Sequence, residues 1–411
     1  MLLAPSLVER LAASLVAPPF VEPATRPLHV LYGGAHLFKA ETPAKLGRIA
    51  HATFLEYAPD HAWFGQVFLT GDRGEELWTR VETRLRTMPI ASMCIDFEDG
   101  YGPRPDAEED ADATRAGAEL AKLRGTEAPQ IGIRIKALSG GTVRRGLRTL
   151  DLFLEAAGAV PAGFSVTLPK VTAPEQIAAL DEALGEIERA SGLASRIPIE
   201  VMVETPRALA TLPSLLAASE RIACLHLGAY DLTAELGVTA SDQRLDHPFN
   251  DAARLLLQAT VAGTRVTVAD GATTELPIAA KEATPAQRAD GVRAAWSLHR
   301  RNVRRAIDAG IWQGWDLHPA QLAARYGTVF AFFLEHRATM AARLGRFVAQ
   351  ATQATRLGGT FDDAATGQGL LSFFRRGLAC GALDDADLAA TGLGRDELAG
   401  RSFAAIVAAR T

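Results

Sequence analysis

Short apolar runs alternate with longer amphipathic ones along most of the chain, and this alternation constrains the fold more than any other feature. The runs rich in β-branched and apolar residues predict strands at 28–33, 91–97, 130–138, 163–171, 197–205, 221–229, 264–270 and 311–319. Because these strands are almost continuously apolar, we expect a sheet that is covered on both faces. Amphipathic patterns between them predict helices, for example at 174–190 and at 206–219, where Thr205 and Pro206 are typical of a helix N-terminus.

The number and order of these elements favour one architecture. Roughly eight strand–helix units predict an α/β fold, a (β/α)8 TIM barrel, and no GxGxxG sequence follows a strand as it would in a dinucleotide-binding sheet. We assign residues 1–27 to an N-terminal helical segment and residues 28–335 to the barrel. A long helix at 336–354 then leaves the barrel, and smaller helices follow its break. Residues 336–411 therefore form a predicted C-terminal helical extension, a candidate cap or oligomer contact.

Composition excludes several classes of protein. The formal net charge of −5 argues against a general nucleic-acid binder, and no apolar run is long enough for a membrane span. The N-terminus has no basic region and is interrupted by Glu9 and Arg10, which favours a helix over a signal peptide. The cysteines, Cys94, Cys224 and Cys380, form no CxxC pair, which excludes a disulfide framework and a cysteine zinc site. We therefore expect a cytoplasmic protein with reduced thiols.

Carboxylates gather where the predicted strands end. The stretch CIDFEDGYG places Asp96, Glu98 and Asp99 after the second strand, Glu204 ends the fifth, and Asp231 follows the sixth. In a barrel, the carboxyl ends of the strands face one mouth, where active sites lie. A hard divalent cation such as Mg²⁺, which prefers oxygen ligands, would satisfy Glu204 and Asp231 together. The alternative is that each acid caps the following helix, which fits Asp231 better than Glu204; the pair together favours a metal.

Positive charges face this acidic ring. Arg134 alternates with apolar residues in the stretch IRIKA, and Lys170 ends the fourth strand. An Arg that points into a barrel needs an anion, which would be a substrate carboxylate, an enolate or a neighbouring acid. The alternative is a structural ion pair between Arg134 and Glu98 or Asp99, and the two roles are compatible. Lys136 shares the face of Arg134 by alternation, and we predict that Lys136 and Lys170 bind substrate.

A glycine pair follows the first strand. Gly33 and Gly34, in the stretch YGGAHLF, would permit close backbone approach to a phosphate or carboxylate. We predict that they bind substrate, although a tight turn is the commoner cause of such a pair. The histidines at strand ends, His36 and His318, are far apart in sequence and lack HExxH spacing, so we do not expect a zinc site.

Six stretches occur in an order that resembles one known family. They are IDFEDGYG, IRIKAL, TLPKV, IEVMVETPRAL, LHLGAYDLTAELG and DLHPAQL, and together they span about residues 28–325. Their order and spacing resemble the citrate lyase β-subunit-like proteins of the HpcH/HpaI aldolase family, within the phosphoenolpyruvate/pyruvate barrel superfamily. The resemblance implies a (β/α)8 barrel that binds Mg²⁺, with Mn²⁺ as an alternative. It also implies chemistry that makes or breaks a carbon–carbon bond beside a carbonyl group.

The resemblance assigns roles to particular residues. The metal-ligand Glu of the family's ET motif falls on Glu204, and its second metal carboxylate falls on Asp231. The Arg that stabilises an enolate falls on Arg134. The acids of the family's LED motif fall on Glu98 and Asp99, which usually orient the Arg or a metal-bound water. We therefore predict that Arg134, Glu98 and Asp99 are catalytic.

The sequence departs from the family pattern in three places. Lys136 stands where the family usually has Asn, and the first strand reads LYGGAHLF in place of a pattern like LxVPG. Near the C-terminus, relatives often carry a base Asp in a DGxMxD loop. In the similar stretch TFDDAATGQG, Gln368 or a neighbour occupies the second Asp position, and Asp362 or Asp363 is a candidate substitute.

The predicted function is that of a Mg²⁺-dependent carbon–carbon lyase or aldolase. Its substrate would be a 2-oxo acid or a hydroxy-acyl compound, including CoA thioesters, and the protein is expected to form a homo-oligomer. One alternative is a barrel that has lost its chemistry and binds a ligand or partner, which Lys136 and the altered C-terminal loop motivate. Another is a different enzyme of the phosphoenolpyruvate/pyruvate superfamily, supported only by Gly33 and Gly34.

Overall fold

The computed structural model describes residues 4–14, 21, 24–68, 72–125, 129–193, 195–278, 282–356, 364–399 and 402–410. Within these ranges, parallel strands close into an eight-stranded barrel in which each strand pairs with the next and the last pairs with the first. The strands are β1 His29–Gly34, β2 Ser92–Asp96, β3 Gln130–Arg134, β4 Val166–Leu168, β5 Ile199–Val203, β6 Ile222–Leu227, β7 Thr267–Asp270 and β8 Gln313–Asp316. The predicted (β/α)8 barrel is confirmed, and each observed strand overlaps one of the predicted strands.

Helices surround the sheet and continue beyond it. They are α1 Pro5–Ser14, α2 Thr42–Tyr57, α3 His61–Phe68, α4 Gly74–Thr87, α5 Asp106–Ala121, α6 Val143–Ala157, α7 Pro174–Ser191, α8 Pro206–Ala210, α9 Leu212–Leu216, α10 Ala229–Glu235, α11 Pro248–Val261, α12 Pro285–Asp308, α13 Leu322–Arg356, α14 Ala364–Cys380, α15 Asp385–Ala389, α16 Arg395–Leu398 and α17 Phe403–Arg410. Across the described residues, no helix combines the length and apolarity that crossing a membrane requires.

Strand alternation decides which side chains enter the barrel. In β5, the buried side chains Ile199, Val201 and Val203 join the hydrophobic core. The residues between them face the interior, where Glu200 approaches His226 of β6 with 3.1 Å between Oε2 and Nε2. Glu204 follows β5 with the same two-residue period as Glu200, which brings its side chain to the mouth.

The C-terminal extension starts within a continuous helix. α13 runs through the predicted boundary after residue 335, so the barrel and the extension share one helix. Arg337 on α13 pairs with Glu76 of α4 at 2.6 Å and with Asp387 of α15 at 3.0 Å. These ion pairs fix the extension to the outside of the barrel.

The candidate substitute acids in the C-terminal loop, Asp362 and Asp363, lie outside the described residues. Gln368, beyond them on α14, is buried, and its side-chain oxygen accepts a hydrogen bond from the backbone N–H of Phe403 at 2.9 Å. The Gln368 side chain therefore packs between α14 and α17 and connects them through this hydrogen bond.

Candidate active site

A cavity of about 570 Å³ opens at the carboxyl ends of the strands. Its acidic lining residues are Asp96, Asp99, Glu204 and Asp231, and Arg134 lies among them. A larger cavity of about 820 Å³ lies at the opposite end of the barrel, beside Leu28 and Gln130 near the strand starts, and no carboxylate lines it. Because barrel active sites lie at the carboxyl ends of the strands, the smaller cavity is the candidate site.

Glu204 is a buried acid held in one orientation. Its side chain is 3% exposed, and the backbone N–H of Lys170 donates to its Oε1 at 2.5 Å. A Cβ atom on Gly228 would lie 2.2 Å from the Cβ of Glu204, so only glycine fits at that position. Burial raises the pKa of Glu204 to about 8. The hydrogen bond from the Lys170 backbone opposes this rise, and the negative charge of Asp231 adds to it. Glu204 therefore favours its neutral form unless a cation is present.

Neither Glu204 nor Asp231 is a helix cap. Thr205 is the N-cap of α8, and its hydroxyl accepts a hydrogen bond from the backbone N–H of Ala208 at 3.0 Å. Gly228 is the N-cap of α10, where no side chain makes a capping hydrogen bond, and Asp231 lies exposed in the first turn. The capping alternative is wrong for both acids, which line the same cavity.

Arg134 is fixed by an acid that sequence reasoning did not assign to it. Its Nε and Nη2 donate to both carboxylate oxygens of Asp96, at 2.7 and 2.5 Å, and both side chains are buried. The backbone N–H groups of Glu98 and Gly100 also donate to Asp96, at 2.9 and 2.7 Å. The remaining Nη1 lies 3.4 Å from Glu98 and 3.6 Å from Asp99. Burial lowers the pKa of Arg134, but Asp96 more than offsets this, and the guanidinium stays charged.

Lys170 connects three of the acids. Its ammonium pairs with Glu98 and, at 3.0 Å, with Asp99, while its backbone N–H binds Glu204. Its φ angle is +52°, the left-handed region that non-glycine residues rarely adopt. Such strain costs of the order of 1 kcal/mol and persists at functional sites where surrounding contacts hold it. Burial lowers the pKa of Lys170, but the hydrogen bonds that its ammonium donates to Glu98 and Asp99 more than reverse that effect, so its pKa is raised.

Lys136 does not line the cavity. Its ammonium lies 3.0 Å from the buried carboxylate of Glu109 and donates to the carbonyl of Phe97 at 2.9 Å. The prediction that it binds substrate assumed that strand alternation continues from Arg134, whereas β3 ends at Arg134. We therefore correct that assignment: the position of Lys136 is structural.

Gly33 and Gly34 line the cavity, and their small size has a structural cause. A Cβ on Gly34 would lie 2.4 Å from the carbonyl oxygen of Gly100, so the loop after β2 crosses directly over β1. A Cβ on Gly33 would lie 3.0 Å from the side chain of Met93. The glycine pair thus brings β1 and the acidic loop together, which removes the support it lent to a phosphate-binding site.

Three aromatic residues that sequence reasoning missed line the cavity: Tyr32, Tyr230 and Trp315. The rings of Tyr32 and Trp315 lie 4.6 Å apart between centroids. The Trp315 indole N–H donates to Nδ1 of His226 at 2.6 Å, so the ring proton of neutral His226 is on Nε2, which faces Glu200. Arg26 pairs with Glu200 from the other end of the barrel. The sequence signal for Tyr32 and Trp315 was their inward position in the alternation of β1 and β8, and this signal is weak until the barrel is known to close.

Glu204 and Asp231 together fit a divalent cation. Asp96 pairs with Arg134 and Asp99 with Lys170, whereas Glu204 and Asp231 have no Lys or Arg ion pair in the described part of the chain. Burial holds the pKa of Glu204 high, with a smaller contribution from the negative charge of Asp231, and a bound cation would favour the ionised carboxylate instead. Within the described ranges, no cluster of three or more His, Cys, Asp or Glu side chains has the arrangement of a metal site. Two carboxylates that line one cavity match an ion that takes its remaining ligands from water and substrate oxygens, as Mg²⁺ does.

The chain belongs to the family described as a domain of unknown function, DUF6986, whose model matches residues 12–406. It is also similar to the L-malyl-CoA/beta-methylmalyl-CoA lyase of Rhodobacter capsulatus, with 33% identity over 76 residues. That match covers 18% of this chain and 24% of the relative, so the chain spans about a quarter of the length of this curated relative.

Two solved structures resemble the barrel. A citrate lyase from Burkholderia xenovorans shares 21% identity and a TM-score of 0.58, covering 92% of this chain and 100% of that one. A malate synthase from Haloferax volcanii shares 14% identity and a TM-score of 0.51, covering 75% and 77% of the two chains. At these identities the likeness shows the fold, and the predicted resemblance to the citrate lyase-like barrels is confirmed.

Proposed function

We propose that the protein is a Mg²⁺-dependent carbon–carbon lyase that cleaves a hydroxylated 2-oxo acid or hydroxy-acyl substrate at the barrel mouth. The observation that carries this proposal is the arrangement of Glu204 and Asp231, two acids with no Lys or Arg ion pair among the described residues, in one cavity with the buried guanidinium of Arg134. The likeness to a malyl-CoA lyase supports it, because that name describes cleavage beside a carbonyl group.

Glu204 and Asp231 would hold the metal. A bound Mg²⁺ supplies Lewis-acid polarisation of the carboxylate and keto oxygens of a 2-oxo acid. Lys170 orients one oxygen of Glu204 through its backbone N–H, and Gly228 leaves room for that carboxylate. The chain therefore presents a rigid ligand in Glu204 and a more accessible one in Asp231.

Arg134 would stabilise the negative charge that develops on the substrate. Asp96 occupies Nε and Nη2, which fixes the guanidinium plane, and an enolate oxygen would share Nη1 with Glu98 and Asp99, which lie 3.4 and 3.6 Å from it. A preorganised donor in a water-excluded site lowers the barrier because it needs no reorganisation during the reaction. Removal of one such donor typically costs about 100- to 1,000-fold in kcat.

The acidic loop after β2 would move the proton. Cleavage requires a base to take the proton from the substrate hydroxyl while the neighbouring carbon–carbon bond breaks, which gives an aldehyde or ketone and an enolate. The enolate then takes a proton at carbon. Asp99 lines the cavity, and Glu98 beside it has a pKa raised by burial and by Asp99. These two acids, coupled through Lys170, are the candidate base and acid.

An assay of pyruvate or glyoxylate release tests the proposal. Purified protein is incubated with 4-hydroxy-2-oxo acids and with malyl thioesters of CoA, in Mg²⁺ and in EDTA. We expect release in Mg²⁺, loss in EDTA, and loss in Glu204→Gln. The exposed Glu220, whose side chain is 93% exposed, provides the matched control Glu220→Gln, which should stay active.

Absence of turnover on every substrate would contradict the proposal and favour a barrel that binds a ligand without reaction. The homo-oligomer expected from the resemblance remains a prediction, which light scattering checks.

A further inference from the structure

The cavity has two chemically different sides. Its charged groups come from the ends of β2, β3 and β5 and from the start of α10, whereas Tyr32 of β1, Trp315 of β8, and Leu37 and Leu317 beyond the ends of those two strands bring apolar surface to the lining. Because β8 pairs directly with β1, these four side chains belong to neighbouring parts of the mouth. We call this set the apolar wall.

The apolar wall includes two leucine side chains that are exposed to solvent. Leu37 is 68% exposed and Leu317 is 39% exposed, and both line the cavity. Exposed leucines are individually ordinary, but here two lie at one mouth beside a pair of aromatic rings 4.6 Å apart. The Trp315 ring is held from beneath by His226, so this wall has a fixed shape.

A small 2-oxo acid leaves most of the cavity empty. Pyruvate has six non-hydrogen atoms, which occupy roughly 120–180 Å³ if each takes somewhat less space than the ~30 Å³ of a water molecule in the liquid. The cavity measures about 570 Å³. The charged side accounts for the carboxylate and keto group, and the space that remains borders the apolar wall.

We infer that the apolar wall is a binding subsite for an uncharged alkyl or aryl substituent, carried by the fragment that leaves as an aldehyde. The inference rests on the proposed lyase function and narrows its substrate to 4-hydroxy-2-oxo acids with a bulky apolar group at carbon 4. Arg134 is the basic side chain of the cavity lining and is already paired with Asp96. A phosphate-bearing group therefore finds no free cation within the lining, whereas an apolar group finds a complementary surface.

A substrate series tests the inference. Pyruvate release is measured in Mg²⁺ for 4-hydroxy-2-oxo acids with methyl, propyl and phenyl substituents. We expect kcat/KM to rise at least ~10-fold from methyl to phenyl, and this ratio to fall by about the same factor in Leu317→Ala and Leu37→Ala. Leu255, 62% exposed on α11 and away from the cavity, provides the control Leu255→Ala, which should keep the wild-type ratio.

Several results would overturn the inference. One is a flat or falling series in an active enzyme, and another is an unchanged ratio in both cavity variants. Faster cleavage of a malyl thioester of CoA than of every free acid would identify a thioester arm as the occupant. If the leucines instead joined two copies of the chain, Leu37→Ala and Leu317→Ala would lower the mass measured by light scattering and leave the ratio unchanged.

Failure of the proposed lyase function would give a different result from failure of the subsite. If no substrate is cleaved, the lyase is refuted, and equilibrium binding then tests the subsite separately. In Mg²⁺, calorimetry should give phenylpyruvate at least ~10-fold tighter binding than pyruvate, with the difference reduced in Leu317→Ala. Equal affinities would remove the subsite.

Discussion

The buried carboxyl group of Glu204 should give the metal-free protein an unusual dependence of stability on pH. Its pKa is about 8 in the folded protein, well above the ordinary value near 4.5. Between these values the folded state binds a proton that the unfolded state has released. The free energy of unfolding therefore falls as pH rises through this range, by about 1.4 kcal/mol per pH unit for this one group. Between pH 5.5 and pH 8 the loss amounts to roughly 3 kcal/mol.

The variant Glu204→Gln isolates this effect. Glutamine does not titrate, and its oxygen still accepts the Lys170 backbone hydrogen bond. In EDTA, urea unfolding curves give the free energy of unfolding of both proteins at pH 5.5 and at pH 8. The difference between variant and wild type should increase by about 3 kcal/mol, in favour of the variant, from the lower to the higher pH. If the free energy of unfolding changed equally with pH in the two proteins, this prediction would be wrong, because Glu204 would then ionise as easily in the folded protein as in water.

Other predictions concern how the site is held. Asp96→Asn leaves the buried guanidinium of Arg134 without its carboxylate, so the free energy of unfolding should fall by roughly 3–5 kcal/mol in chemical denaturation, and a change below ~1 kcal/mol would contradict the pairing. Gly228→Ala places a methyl group against Glu204 and should weaken Mg²⁺ binding at least ~10-fold in calorimetry. The control Gly291→Ala, in a helix with no atom near the new methyl group, should bind Mg²⁺ as wild type does.

The sequence was sufficient for the architecture, and it placed Glu204 and Asp231 at the barrel mouth, where both line one cavity. Apolar runs of the right length predicted every strand position, because parallel strands covered by helices need apolar residues on both faces. Their shared position could be predicted because Glu204 and Asp231 follow strands whose carboxyl ends meet at one mouth of the barrel, whereas their role as metal ligands stays a prediction. The resemblance to a known family pointed to the same two residues independently.

The partners of Arg134 and Lys136 were not predictable to the same extent. Asp96 lies opposite Arg134 in the register of β2 and β3, a pairing that appears only once the barrel closes. Lys136 was misplaced because β3 ends at Arg134 and the two-residue alternation stops there. The residue that Lys136 binds, Glu109, is buried on α5, a contact that only the folded chain brings about.

The central claim is that Glu204 and Asp231 hold one divalent cation together, and calorimetric titration of the metal-free protein with Mg²⁺ in the presence of oxalate tests it most directly. We predict one Mg²⁺ per chain, with affinity reduced at least ~10-fold in Glu204→Gln and in Asp231→Asn and unchanged in Glu220→Gln. Equal affinity in wild type and both cavity variants would contradict it.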